Sequence, residues 1–203
     1  MIGLPRDWST NRLIIAERLS MRHRVRDELT GVIIFVGIVW LVFLLDLIIP
    51  VDFNAWGIRP RTVIGLAGIP LAPLLHADIW HLVANTFPLI ILLCLLAGSR
   101  ANSAGVVVGL ILLGGAALWL VGRPAIHIGA SSLVFGLIAF LIAAGLLERR
   151  PIALVISLLV AVFYGGTLVW GVLPKLGGNV SWEGHLTGAI AGLGLAAAWT
   201  KRQ

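Results

Sequence analysis

Three short polar segments of the 203-residue chain contain side chains that can move protons or attack a carbonyl. The segment HADIWHLVAN contains His76, His81 and Asn85, the segment HIGASS contains Ser131, and the segment SWEGH ends at His185. Histidine is the usual side chain for proton transfer near neutral pH, and a serine hydroxyl beside it can be activated as a nucleophile. These residue types indicate acyl-transfer chemistry, provided that the three segments meet.

Within this set we predict a dyad in which the imidazole of His185 is the general base for the hydroxyl of Ser131. His81 and Asn85 are four residues apart, so they share one face of a helix and can donate hydrogen bonds toward one point. Together with the backbone N–H of Ser131 they would form an oxyanion hole. No acid is spaced to stand behind the imidazole, since Glu183 falls on another helical face. The pattern therefore favours a dyad over a triad.

Small residues explain how the serine and the histidine could approach each other. Phe135 follows Ser131 by four residues, so its ring would lie under the hydroxyl and could pack against an imidazole from another helix. Stripes of small residues let helix backbones approach closely in lipid. One stripe comprises Gly184, Gly188 and Ala191 or Gly192, and the other comprises Ser132, Gly136, Ala139 and Ala143. We predict that these two stripes pack together.

Composition places these segments in a membrane protein. The chain is 59% hydrophobic and 12% charged, with a mean hydropathy of +1.03, and a membrane-spanning helix needs about 20 mostly apolar residues. Six stretches qualify, at roughly 31–49, 81–97, 104–121, 131–147, 152–173 and 184–200. We therefore predict an all-α, polytopic bundle of six transmembrane helices.

The six spans also divide the chain into parts. Residues 30–203 form one membrane domain, which includes a long first outer loop at 50–80, and residues 1–29 form a short basic cytoplasmic arm. A loop of that length is expected to be functional or partly structured. We expect the only cysteine, Cys94, to be a small buried apolar group within the second span.

The distribution of basic residues predicts the orientation, because Lys and Arg accumulate in cytoplasmic loops. With the N-terminus inside, the inner side holds eleven basic residues: Arg6, Arg12, Arg18, Arg22, Arg24, Arg26, Arg100, Arg149, Arg150, Lys201 and Arg202. The outer side then holds four: Arg59, Arg61, Arg123 and Lys175. Both termini are accordingly predicted to be cytoplasmic, and spans two, four and six enter from the outer face with all three polar segments at one depth.

Other functions fit the residues less well. The net charge of +6 is scattered among loops and forms no sustained basic surface, so we expect no nucleic-acid partner. His76, Asp78 and His81 lack the i, i+4 histidine pair of a metalloprotease helix, and we expect neither a metal nor a cofactor. A small transporter would need midplane charges or paired interrupted helices. Ser131 as a packing residue, and His81 with Asn85 as a link between helices, remain open alternatives.

The sequence resembles the rhomboid family of intramembrane serine proteases. The matching motifs are H-x-x-x-N at His81 to Asn85, G-x-S at Gly129 to Ser131, and H-x-x-G-x-x-x-G from His185 to Gly192. They occur in the family's order, and the similarity covers about residues 30–200.

The resemblance implies hydrolysis of a peptide bond in or near the transmembrane segment of another membrane protein. Ser131 would be the nucleophile, His185 the base, His81 and Asn85 part of the oxyanion hole, and His76 a structural loop histidine. A non-catalytic relative that only binds transmembrane helices is the alternative, but it would be expected to lack the serine or the histidine. The expected partners are the bilayer and membrane-protein substrates, in a bacterial cell membrane, with the site facing the non-cytoplasmic side; the oligomeric state stays open.

Three features of the sequence depart from the family's pattern. Ser132 stands where glycine is usual, and Phe135 stands where the aromatic residue against the base is often tyrosine. The Trp-Arg pair common in the family's first loop is replaced by Ala67 and Gly68. The third departure leaves open how the first loop is anchored.

Overall fold

The computed structural model describes the backbone of residues 8–99, 103–174 and 180–200 and, within these ranges, the side chains from residue 25 onward. These residues form an all-helical chain, as predicted, with seven α-helices and no named strand. The helices are α1 Trp8–Ile48, α2 Val63–Leu71, α3 Ile79–Ser99, α4 Ser103–Val121, α5 Ser131–Glu148, α6 Pro151–Gly171 and α7 Trp182–Thr200. Several basic residues used to predict the orientation, including Arg6, Arg100, Lys175, Lys201 and Arg202, lie outside the described residues.

Among the described residues, five helices are long and apolar enough to cross a membrane: the Val25–Ile48 part of α1, and α3, α4, α5 and α6. The sixth predicted span corresponds to α7, which has 19 residues but is less apolar because its first turn contains Glu183 and His185. The ends of α3 to α7 lie within two residues of the predicted limits. The first helix instead begins at Trp8, so the predicted arm is largely continuous with it.

Helix α5 is the centre of the bundle. It packs most extensively on α7 and also contacts α6, α4 and α3. An apolar 18-residue stretch of α5 is 61% buried, more than in any other candidate span. Its side chains Leu133, Leu137, Ile138 and Phe140 lie in the main hydrophobic core. The start of α5, where Ser131 stands, is thus fixed by contacts on several sides.

The loop at residues 50–80, predicted to be the first outer loop, is partly structured, as expected for its length. It contains a short 3-10 helix at Phe53–Trp56, then α2, then a second 3-10 turn at Ala72–Leu74. At its start, the carboxylate of Asp46 in α1 accepts hydrogen bonds from the backbone N–H of Phe53 at 2.9 Å and from the side-chain amide of Asn54 at 3.1 Å. The acid near the C-terminal end of α1 therefore orders the loop.

Arg61 and Trp119 anchor the middle of this loop to the C-terminal end of α4. The guanidinium of Arg61 donates to the carbonyls of Leu120 and Gly122 at 3.0 and 2.9 Å, and the indole N–H of Trp119 donates to the carbonyl of Thr62 at 2.8 Å. Terminal helix carbonyls have no partner within the helix, so a cation placed there is favourable. An arginine and a tryptophan from two distant parts of the chain hold the loop.

Cys94 corrects one expectation. It lies on the exposed surface of α3 instead of in the core. Its neighbours Leu92, Leu93 and Leu96 occupy the buried face of that helix, and the helical period directs Cys94 away from them. Hydropathy alone could not distinguish the two faces of a helix that is apolar all round.

Candidate active site

Gly129 shapes the turn that leads into Ser131. Its φ of +103° lies in a region that residues with a side chain rarely adopt, and its N–H donates to the carbonyl of Ala72 at 2.8 Å. A Cβ atom at this position would meet Nε2 and Cε1 of His81. The glycine of G-x-S therefore allows both the turn and the close approach of the His81 ring, and α5 begins at Ser131 immediately afterwards.

His185 stands in the first turn of α7, where its backbone N–H donates to the carbonyl of Ser181 at 3.2 Å. Its ring Nδ1 lies 2.9 Å from the carbonyl oxygen of Gly171, the last residue of α6. A carbonyl can only accept a hydrogen bond, so Nδ1 must carry the proton. In the neutral ring, Nε2 is then the basic nitrogen.

The ring of Phe135 stacks on the imidazole of His185. Their centroids are 4.0 Å apart and their planes differ by 2°. A Cβ atom on Gly171 would collide with the Phe135 ring, so a glycine there leaves room for the ring while its carbonyl orients the imidazole of His185. Gly171 was missed from the sequence; a glycine ending a span beside a proposed site was the available signal.

Glycines bring the backbones of α5 and α7 into direct contact. A Cβ atom on Gly188 would collide with the carbonyl of Ser132, and one on Gly192 would collide with the carbonyl of Gly136. A Cβ atom on Gly136 itself would lie 3.1 Å from the carbonyl oxygen of Gly188. Because Gly188 supplies the space on the α7 side of this contact, a serine is accommodated at position 132, where the family usually has glycine.

Gly184 has different neighbours from the other glycines of the stripe. A Cβ atom there would meet the hydroxyl of Ser181 at 2.9 Å and the side chain of Leu118 in α4 at 3.4 Å. Its space serves the start of α7 and the contact with α4, whereas Gly188 and Gly192 face α5.

His81 and Asn85 lie on one face of α3 beside the turn at Gly129. Asp78 caps this helix, because its Oδ1 accepts the backbone N–H of His81 at 2.8 Å. The side-chain amide of Asn85 donates one hydrogen bond to the carbonyl of His81 at 2.9 Å, and the amide has a second hydrogen. Among the described residues, no group of three His, Cys, Asp or Glu side chains could hold a metal ion.

His76 lies buried between the first loop and the start of α5. Its Nε2 lies 3.5 Å from the backbone N–H of Ala130, and its ring meets the His81 ring edge-on with centroids 5.0 Å apart. Burial, reinforced by the neighbouring His81 ring, lowers the pKa of His76 to about 4. The neutral ring is therefore an acceptor for the turn before Ser131.

A cavity of about 1040 Å³ lies between the helices that carry the predicted site residues. Ser131, His185, His81 and Asn85 all line it, although they come from three helices distant in sequence. Phe135 lines it as well, together with Tyr164 and Thr167 from α6, which the sequence did not single out. The volume is sufficient for many water molecules, each of which occupies about 30 Å³ in the liquid.

Comparison with known proteins agrees with these motifs. The family model named Rhomboid domain matches residues 65–202. The chain belongs to the rhomboid family. The match covers α3, α5, α6 and α7, the four helices whose residues line the cavity.

Mycobacterial proteins resemble this rhomboid protein over most of its length. Uncharacterized proteins of Mycobacterium bovis and Mycobacterium tuberculosis are each 45% identical over 175 residues, which cover 81% of this chain and 72% of the relative. An uncharacterized protein of Mycobacterium leprae is 42% identical over 182 residues, or 84% of this chain and 72% of the relative. No solved structure shows a significant match.

Proposed function

We propose that this rhomboid protein is an intramembrane serine endopeptidase that cleaves peptide bonds in or near the transmembrane segments of other membrane proteins. The observation that carries the proposal is the setting of His185. Its ring stacks on Phe135, one helical turn beyond Ser131, and its Nδ1 is held by the Gly171 carbonyl. This leaves Nε2 as the base in a cavity that Ser131 also lines.

In the proposed reaction, Nε2 of His185 removes the proton from the hydroxyl of Ser131 as the oxygen attacks the scissile carbonyl carbon. The tetrahedral intermediate collapses when the imidazolium returns this proton to the leaving amine, which gives an acyl-enzyme. Water then attacks the ester, again losing a proton to Nε2, and the Ser131 hydroxyl is regenerated. The Gly171 carbonyl keeps the Nδ1 proton in place throughout and occupies the position that a carboxylate has in a triad.

The oxyanion of the intermediate would be held by the backbone N–H of Ser131, the second amide hydrogen of Asn85 and the ring of His81. The N–H of Ser131 is at the first residue of α5, where helical amide groups have no partner within the helix. Donors of this kind are worth about 3 kcal/mol each in barrier height.

We also propose the membrane arrangement. The chain has six spans, with α7 as the sixth, both termini in the cytoplasm, a basic arm at residues 1–29 and a membrane domain at 30–203. The cavity opens to the non-cytoplasmic side of a bacterial cell membrane, which supplies water to Ser131. A substrate helix must unwind there, because its carbonyls are otherwise occupied by helical hydrogen bonds.

Purified protein in detergent, incubated with a single-span membrane-protein substrate, tests the proposal. We expect a new terminus to appear within or beside the substrate's span, and labelling by a fluorophosphonate. Ser131→Ala should abolish both, and His185→Ala should abolish cleavage. The matched control is Ser157→Ala, since Ser157 is a buried serine whose hydroxyl bonds the Ile142 carbonyl away from the site.

Cleavage at undiminished rate by purified Ser131→Ala protein would refute the assignment of the nucleophile. A native protein that binds single-span helices, yet neither cleaves them nor reacts with the fluorophosphonate, would instead be a non-catalytic member of the family.

A further inference from the structure

A second serine and histidine precede the proposed dyad at matching intervals. His127 lies four residues before Ser131, and Ser181 lies four residues before His185. The segments that lead into α5 and α7 thus carry the same two residue types in opposite order. Both His127 and Ser181 also line the cavity that contains Ser131 and His185.

The upstream pair is joined by a short hydrogen bond whose direction is fixed. Nδ1 of His127 lies 2.7 Å from the hydroxyl oxygen of Ser181, and Nε2 of the same ring lies 3.1 Å from the carbonyl of Arg123. The carbonyl can only accept, so Nε2 carries the proton and the Ser181 hydroxyl donates to Nδ1. The Ser181 oxygen in turn accepts the backbone N–H of Gly184 at 3.2 Å.

Each member of this pair is attached rigidly to its own part of the chain. The backbone N–H and carbonyl of His127 both bond Ile58 in the first loop, each at 2.9 Å. Ser181 caps α7 through Gly184, and its carbonyl accepts the N–H of His185 at 3.2 Å. A displacement of Ser181 relative to His127 would therefore also displace the first turn of α7 relative to the start of α5.

Charge and burial support the same arrangement. Arg123 forms an ion pair with Glu183 at 3.6 Å and donates to the carbonyl of Val180 at 3.0 Å, so a second link joins the two leading segments. Burial lowers the pKa of His127, against smaller opposing effects of the Arg123 carbonyl and Glu183. The ring is thus neutral near neutral pH and keeps the proton arrangement that the bond to Ser181 requires.

We propose that His127 and Ser181 are a positioning pair that sets the separation between Ser131 and His185. The inference rests on the proposed protease activity, because it assigns these two residues a role in the same reaction. Neither one acts on the substrate; Ser181 acts through the first turn of α7, which it caps, and His127 acts through the segment that leads into α5. Misplacing reacting groups by about 1 Å can cost on the order of 100-fold in rate, so a single bond at this position is sufficient to matter.

The first measurement is the steady-state cleavage kinetics of His127→Phe and Ser181→Ala. We expect kcat to fall roughly 10- to 100-fold in each, with KM within about 2-fold of the native value, because the alignment of the reacting groups changes while the other residues that line the cavity are retained. Fluorophosphonate labelling of Ser131 should slow in parallel. The double variant should be no slower than the slower single variant, since both substitutions remove the same bond.

Conservative variants separate positioning from general damage. His127→Asn retains an acceptor close to the place of Nδ1, and Ser181→Thr retains the hydroxyl, so both should recover most of kcat. Ser157→Ala is the matched control, since it removes another hydroxyl bond that joins two helices, at 2.9 Å between α6 and α5. It should lower the unfolding temperature while kcat is unchanged.

Native kcat in folded His127→Phe or Ser181→Ala, or effects that simply multiply in the double variant, would overturn the proposal. If the native protein itself neither cleaves nor labels, the proposed function has failed, and the pair is then tested without catalysis. In a Ser131→Ala background, unfolding temperatures for the two single variants and the double variant should show coupling. Additive shifts there would overturn the link itself.

Discussion

The α5–α7 interface and the α6 wall of the cavity hold the proposed site in different ways. At the interface, glycines place backbone against backbone, and the start of each helix is tied through His127 and Ser181. Only 17% of an apolar 18-residue stretch of α6 is buried, against 61% for α5, and its Phe163 and Trp170 are 74% and 70% exposed. Yet α6 supplies the carbonyl that orients His185.

This difference separates two requirements of the proposed chemistry. The distance between nucleophile and base depends on the closely packed pair of helices, whereas the proton arrangement of the base depends on a helix that is mostly exposed. Substitutions at the interface should therefore affect folding and activity together. Substitutions at the C-terminal end of α6 should affect activity more than folding.

The largest effect is expected for Gly188→Ala. Its new Cβ atom would overlap the carbonyl of Ser132, so α5 and α7 must separate. Overpacking of this kind costs about 1–3 kcal/mol in the free energy of unfolding, and we expect cleavage to fall by roughly 100-fold because the reacting groups move apart.

Gly194→Ala on the same helix is the control, because nothing lies within 4 Å of a Cβ atom there. Unfolding temperature and cleavage rate should both match the native protein. Equal behaviour of the two variants would contradict the close approach of α5 and α7.

A smaller effect is expected for the pH dependence of folding stability that arises from the buried ring of His76. Its pKa is lowered to about 4 in the folded protein, so the unfolded chain binds the proton more readily. The contribution of His76 to the free energy of unfolding is therefore fully present above the unfolded pKa of about 6.5. It is lost progressively as the pH falls from there toward 4. From these two values the loss at pH 5 is about 2 kcal/mol.

Unfolding of the native protein and of His76→Gln in detergent at pH 7.5 and pH 5 measures this effect. Glutamine keeps an acceptor for the N–H of Ala130 but does not titrate, so the variant should lose less stability at pH 5 than the native protein does. The same loss in both proteins would assign the acid sensitivity to other groups.

The smallest effect, and the one that best separates the two regions, is expected for Gly171→Ala. The added Cβ atom would displace the ring of Phe135 and disturb the bond from His185 to the Gly171 carbonyl. Loss of one stacking contact and weakening of one hydrogen bond together amount to about 1–2 kcal/mol, or roughly a 10-fold fall in kcat.

The unfolding temperature of Gly171→Ala should stay near the native value, because α6 is mostly exposed. Gly166→Ala on the same helix has open space for a Cβ atom and serves as the control. A fall in folding stability as large as that of Gly188→Ala would show that the two regions are equally constrained.

The sequence predicted the limits of α3 to α7 well because each is bounded by breakers or by polar residues, but it placed the start of the first helix far from Trp8. Pro151 begins α6 at its first residue, and α1 ends just before Pro50, as proline geometry requires. The sequence also predicted which residues line the cavity, because Ser131, His185, His81 and Asn85 all stand near the starts of helices. Their roles in catalysis remain predictions.

The features that the sequence did not reveal depend on contacts between distant segments. The carbonyl of Gly171 is a backbone group, which every residue has, so the residue type does not reveal its contact with His185. His127 and Ser181 could have been noticed from their intervals, but only the fold places them together. The missing Trp-Arg pair of the first loop likewise gave no indication that Trp119, in another helix, would assist Arg61.

The attachment of Arg61 to the last carbonyls of α4 has a consequence for local unfolding. Because the guanidinium holds Leu120 and Gly122 while Trp119 holds Thr62, the loop cannot detach without freeing the end of that helix. Segments linked in this way open as one cooperative unit. The amides of Ile58, Arg59, Arg61 and Thr62 and those of the final turn of α4 should exchange their hydrogens with solvent at a common rate.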